Sequence, residues 1–232
     1  MPPHELGRKP HPDTPRAASL YPVLARPDYK MSTATVRWWW QGGAWLDQGQ
    51  TGTCVGNAFA HRRADAPVPE TGINEAYARA LYVAASGDTT LQQGTSGLAA
   101  CREMKQEGII SAYHWVTTPG ELRNTILELG TVCVGVNWYN SMFEPKAKYG
   151  TRRAYFTVDH SSGLAGGHEF VINGIDLAPS SGPPFYRMKN SWSQDWPGNG
   201  VLGPGTARFA LTDLESLIFN EGGDAVLISE VP

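Results

Sequence analysis

The sequence predicts an α+β fold, a mainly helical half followed by a mainly β half. Three observations carry this. Segments with helical apolar spacing fall between Cys54 and Leu129, whereas short β-forming runs dominate after Gly130. The 26 glycines and 17 prolines require many turns and argue against an all-helical bundle. With 232 residues, 41% of them apolar and 18% charged, the chain suits one domain or two small lobes folded as a unit.

Residues 1–32 read as a proline-rich extended arm, and the first thirty hold seven of the seventeen prolines. Thr33 to Trp40 is rich in strand formers and stops at Gly42-Gly43. On a strand, Trp38, Trp39 and Trp40 alternate faces, so one or two rings pack inward. A Gly/Thr-rich loop, Gly49 to Thr53, leads into a helix over Cys54–Ala64, with Pro67 and Pro69 beyond its end. Further helices are expected over Glu75–Val83, ending near Gly87, over Leu98–Gln106, ending at Gly108, and over Leu122–Leu129, ending at Gly130. Strands follow over Val132–Val136, Phe170–Ile175, Phe185–Lys189, Ala207–Leu211 and Ala225–Ile228.

Several function classes fall away on composition. Lys and Arg total 19 against 22 Asp and Glu, a net charge of −3, which argues against a nucleic-acid partner. No apolar stretch is long enough to span a membrane, and the first thirty residues lack the apolar region of a secretory signal. Cys54, Cys101 and Cys133 are few, odd in number and widely spaced, which excludes a disulfide framework and points to a reducing, cytoplasmic compartment or a larger assembly.

The chemistry concentrates around Cys54. It stands where a glycine-rich loop turns into a helix, and the free N–H groups and partial positive charge there favour a thiolate. Gln48 lies six residues earlier, and its amide N–H₂ folded back beside the Cys54 N–H forms an oxyanion hole. A thiolate needs a base. His4 and His11 lie in the arm, His61 is two helical turns from the sulfur, and His114 falls in an aromatic loop. His168, after Gly166-Gly167 and at the start of a strand, is rigid and accessible; His160 is the reserve. Asn190 in Lys189-Asn190-Ser191-Trp192 supplies a neutral acceptor to orient the imidazole, with Trp192 placed to exclude water. His160 and His168 lack companions in ligand register, so no metal is expected, and no organic cofactor is implied.

This ordered set resembles the papain-like cysteine peptidases. Gln48-Gly49-Gln50-Thr51-Gly52-Thr53-Cys54 is similar to the family's QGxCGSC segment, and Gly167-His168-Glu169-Phe170-Val171 to its histidine strand. Lys189-Asn190-Ser191-Trp192, with Trp196, Gly198, Asn199 and Gly200, resembles its KNSWGxxWGxxG block, the most specific of the three. The resemblance covers residues 33–232. It implies a two-lobe fold with a helical lobe (33–130), an antiparallel β-barrel-like lobe (131–232) and the active-site cleft between them. It also implies Cys54 as nucleophile, His168 as general acid/base, Asn190 as its orienter and Gln48 as oxyanion donor. The expected activity is hydrolysis of peptide or amide bonds in a peptide or protein substrate, through a thioester. The sequence departs from the family at Thr51, where secreted members carry a disulfide cysteine, at Val55, usually aromatic, and at Glu169, usually small. No long helical propeptide is expected ahead of the catalytic segment.

Two rivals remain at this point. One is a papain-like scaffold serving as an assembly component of a larger particle, such as a virus or phage, with the arm and the tryptophan run as docking surfaces. The other keeps the thiol chemistry and passes the acyl group to an amine. The arm is expected to clasp the protein's own surface or a protein partner through Leu20-Tyr21-Pro22-Val23-Leu24. An extended strand lying in the cleft is the less favoured alternative.

Overall fold

A computed structural model describes residues 5–10, 32–198 and 204–230. Thr53 closes the glycine loop and the chain enters α1 (Cys54–Ala64), in which ten of eleven residues are buried. A helix enclosed on every side needs no apolar stripe, and α1 has small or uncharged residues over most of its length. At Gly56, a Cβ would come within 2.3 Å of the Ala78 carbonyl, so glycine is what lets α2 (Glu75–Ser86) cross so closely. The Asn74 side chain caps α2 by accepting the Tyr77 N–H, and left-handed Gly87 ends it. Ser96 caps α3 (Gly97–Gln106) through the Ala99 N–H. The helices share a core with the sheet, in which Val55, Phe59, Leu81, Leu98 and Met104 meet Cys133, Val171 and Val226.

The strands are β1 (Val36–Trp38), β2 (Ile110–Trp115), β3 (Val132–Tyr139), β4 (Lys146–Ala147), β5 (Ala154–Tyr155), β6 (Leu164–Asp176), β7 (Phe185–Lys189), β8 (Thr206–Ala210) and β9 (Asp224–Glu230). They join in the order β2-β9-β3-β6-β7-β8-β5-β4, with β1 added on β6. All pairings are antiparallel except β5 with β8. Short α4 (Pro119–Asn124) and α5 (Leu211–Phe219) complete the fold. The core between α5 and the sheet is centred on Trp138, which meets Phe156, Phe170 and Trp192 edge to face.

The structure modifies several expectations. β1 falls within the strand-forming run expected over Thr33–Trp40, whereas β2 adds an unexpected strand to the mainly helical half. His114 stands in β2 rather than in a loop. The helix expected over 122–129 starts at Pro119 and widens to a π turn over Thr125–Leu129, closed by a Gly130 N–H bond to the Thr125 carbonyl. Leu211, assigned to a strand, begins α5. In the tryptophan run, Trp39 packs against the core and its indole N–H donates to the Ile126 carbonyl, while Trp38 and Trp40 are exposed.

Candidate active site

Cys54 sits at the first turn of α1 and is fully buried. Its sulfur receives backbone N–H groups from Glu169, Gly7 and Val55, which favour the thiolate, but burial outweighs them and pushes the thiol up to about 12. In this covered state burial opposes the thiolate that the helix start favours. The Glu169 N–H against the sulfur places Cys54 beside the backbone that follows His168.

His168 is on β6, opposite Val136 of β3, with no exposed surface. Its Nε2 is 2.8 Å from Asn190 Oδ1, and the Trp192 ring stacks on the imidazole at 4.9 Å and 25°. Trp138 meets both rings edge-on, the imidazole at 4.8 Å and Trp192 at 5.5 Å. Two indoles and one amide thus fix the ring plane and exclude water from the hydrogen bond. Asn190 follows the end of β7, and its Oδ1 also accepts the Ser191 N–H at 2.9 Å.

Gln48 joins this network from the opposite side. Its main-chain N–H donates to the Ser191 carbonyl at 2.9 Å, and its Oε1 accepts the Ser191 hydroxyl at 2.6 Å. Those bonds turn the amide nitrogen outward, where Nε2 donates to the Thr51 carbonyl and to the carbonyl of Glu5, both at 2.9 Å. Ser191 is the residue that sequence reasoning passed over; it bonds to both Asn190 and Gln48 and links the two. The structure brings all four expected residues, Cys54, His168, Asn190 and Gln48, into one buried cluster. Asn199 and Gly200 of the quoted motif lie outside the described residues.

Residues 5–10 of the arm lie in the groove over this cluster. Thr95 N–H donates to the Gly7 carbonyl at 2.8 Å, Lys9 N–H to the Thr95 carbonyl at 2.7 Å, and Arg8 N–H to the Gly167 carbonyl at 2.9 Å. Arg8 and Thr95 form a parallel bridge. The groove is lined with glycine so that two backbones can touch. A Cβ on Gly94 would stand 2.1 Å from the Gly7 carbonyl oxygen, and one on Gly167 would stand 2.3 Å from the Arg8 carbonyl oxygen. The less favoured alternative for the arm is thus the observed one for these six residues; Leu20 to Leu24 lie outside the described residues.

The other histidines are accounted for elsewhere. His61 is buried, accepts the Leu46 N–H at 3.1 Å, and is held well below its ordinary pKa by burial and by Lys189. His160, the reserve base, is exposed and pairs with Glu221 at 3.0 Å, away from Cys54. Among the described residues no group of three His, Cys, Asp or Glu is placed to hold a metal ion, and no helix is long and apolar enough to cross a membrane.

No family model matches the chain, and no curated protein does. Solved structures share its architecture. Xylellain, a cysteine protease from Xylella fastidiosa, is 14% identical with a TM-score of 0.58, over 98% of this chain and 92% of that one. ProCathepsin B S9 from Trypanosoma congolense is 12% identical with a TM-score of 0.64, over 98% and 87%. Digestive procathepsin L 3 of Tenebrio molitor larval midgut is 15% identical with a TM-score of 0.61, over 86% and 71%. These likenesses establish the papain-like α+β fold.

Proposed function

We propose that the protein is a cysteine-dependent peptidase whose site is covered by its own N-terminal segment. The observation that carries this reading is the peptide already in the groove. An extended backbone pairs with Thr95 and Gly167, and one of its carbonyls rests on Gln48 Nε2, beside a cysteine, a histidine and its asparagine. A groove built this way accepts a peptide main chain whatever its side chains.

When a substrate replaces the segment, Cys54 adds to the scissile carbonyl and the oxygen takes its negative charge against Gln48 Nε2. Nε2 of His168 is engaged by Asn190, so proton exchange with the sulfur and the leaving amine falls to Nδ1. Protonation of the amine by His168 releases it and leaves a thioester on Cys54. A water that gives its proton to His168 then adds to the thioester, and collapse frees the acid and the thiol. Transfer of the acyl group to an amine follows the same course with a different nucleophile. The neighbours named as proenzymes are cysteine proteases in precursor form, which agrees with a covered site here.

One observation favours the assembly-component reading: Cys54 is fully buried, which opposes its ionisation. Labelling with a peptidyl fluoromethyl ketone, followed by mass mapping, separates the two. A peptidase gives a single adduct on Cys54 that Cys54→Ser abolishes, and a casein digest stops with it. Adducts spread equally over Cys54, Cys101 and Cys133, or none on Cys54, favour the scaffold.

A further inference from the structure

Asp224 of β9, Gly135 of β3 and Glu169 of β6 lie in one row across three adjacent strands. Residues directly opposite on neighbouring strands point to the same face of the sheet, so two carboxylates flank a position with no side chain. A Cβ on Gly135 would fall 2.5 Å from Glu169 Oε2, 2.7 Å from Arg8 Nε and 2.9 Å from Asp224 Oδ1. The missing side chain is the pocket, and the Arg8 guanidinium fills it. Arg8 Nη2 lies 2.6 Å from Asp224 Oδ2 and donates to the Gly222 carbonyl at 3.2 Å.

From this row we propose that Glu169 and Asp224 form a cation-selecting subsite, and that the substrates present an arginine side chain to it. The inference rests on the peptidase reading above. A clasp for the arm needs one carboxylate; this pocket has two around a single cation. Both are buried, and among the described residues neither oxygen of Glu169 accepts a hydrogen bond. With Arg8 withdrawn, two buried acids face each other with no cation between them, an arrangement that disfavours the empty pocket. The carboxylates belong to the sheet and stay when the segment leaves. The other contacts to the segment at this point, Thr95 N–H and carbonyl and the Gly167 carbonyl, are main-chain groups that any peptide satisfies. The side chain entering the row is therefore where sequence is read. An arginine restores the observed pairing with Asp224, leucine leaves both acids unmatched, and glutamate places a third acid against them.

The test uses the full chain, as wild type and as Arg8→Ala, which empties the row. Tetrapeptidyl fluoromethyl ketones are compared in which Arg, Leu or Glu is placed in turn at each of the positions preceding the reactive group. The expected result is one position at which the arginine probe labels Cys54 at least tenfold faster than the leucine probe, with glutamate slowest. That preference is to be lost in Glu169→Gln/Asp224→Asn. If this double variant does not fold, the ratio measured on the native pocket still decides. Labelling of Cys54 by all probes without an arginine preference at any position overturns the subsite and leaves the peptidase reading standing. Failure of every peptidyl probe while iodoacetamide still alkylates Cys54 overturns both.

Discussion

At the scale of single residues, the site is a relay of neutral hydrogen bonds running Gln48, Ser191, Asn190, His168. Neutral partners orient the imidazole without fixing its charge, so the histidine stays free to gain and lose a proton. Asn190→Ala leaves the buried His168 Nε2 without its acceptor, which should cost about 1–3 kcal/mol in urea unfolding. It should also forfeit part of the roughly 10²–10⁴-fold that a positioned acid–base group contributes to kcat. Asn190→Asp separates the two effects: it keeps the acceptor and much of the stability, but its charge favours the imidazolium, so the basic limb of the rate profile should move to higher pH. An unchanged profile in Asn190→Asp would remove Asn190 from its orienting role. Glu169 carries a second pH signature. Burial, then Asp224, hold its carboxyl well above the ordinary range despite the opposing Arg8. The folded state therefore keeps a proton that the unfolded chain gives up. This stabilising contribution is complete below the unfolded pKa of about 4.3 and is lost as pH rises toward the folded value. Wild-type stability should fall over that interval more than that of Glu169→Gln, as parallel urea titrations would read.

At the scale of elements, the sulfur is covered by a six-residue extended segment laid against glycines. Gly7 is the closest point: a Cβ there would stand 1.8 Å from the Gly52 carbonyl oxygen. Gly7→Val cannot sit in the groove as drawn, and overpacking of this kind costs about 1–3 kcal/mol. Displacement of the segment should speed alkylation of Cys54 by iodoacetamide by roughly 5- to 150-fold, the same energy expressed as a ratio. An unchanged rate would mean that residues 5–10 do not guard the site. This element was the hardest to anticipate. The prolines of the arm exclude a helix, but an extended chain has no pattern of its own, and its partners are main-chain atoms of Thr95 and Gly167. The glycine loop before Cys54 and the prolines beyond Ala64 marked α1, which runs over the expected Cys54–Ala64, and alternation of large and polar residues marked β7, which runs over the expected Phe185–Lys189. By contrast, β2 hid because Ser111 to His114 alternates weakly. Leu211, Leu214, Leu217 and Ile218 do carry the helical spacing of α5, but Leu211 also continues the β8 pattern. The four site residues were legible because each stood beside a local signal, whereas Asp224 had none: only the register of β9 on β3 brings it to Glu169.

At the scale of the whole molecule, the site spans a helix and a sheet, so its geometry depends on how α1 is fixed to β6 and β7. The N-terminal end is held where the Cys54 sulfur meets the Glu169 N–H. The other end is held by Asp65, the residue that follows α1, whose Oδ1 lies 2.7 Å from Lys189 Nζ with neither side chain exposed. The same oxygen accepts the Gly42 N–H at 2.9 Å. Lys189 immediately precedes Asn190, so this buried ion pair ties the far end of the helix that carries Cys54 to the strand that leads into Asn190. Burial lowers the Lys189 pKa and Asp65 opposes it, which marks the pair as mutually dependent. Lys189→Met leaves an uncompensated buried carboxylate, and removing one partner of such a pair costs about 3–5 kcal/mol. For a chain of this length that corresponds to a fall of roughly 6–20 °C in Tm. Adding Asp65→Asn removes the stranded charge and keeps an acceptor for Gly42, so the double variant should recover much of the loss. It should not recover the activity to the same degree, because a neutral contact holds α1 against β7 less firmly than the ion pair does. Measured below both melting temperatures, a double variant with full kcat would show that the ion pair stabilises the fold without aligning Cys54 and His168. A restored Tm with a depressed kcat is the outcome expected if the two ends of α1 are fixed together.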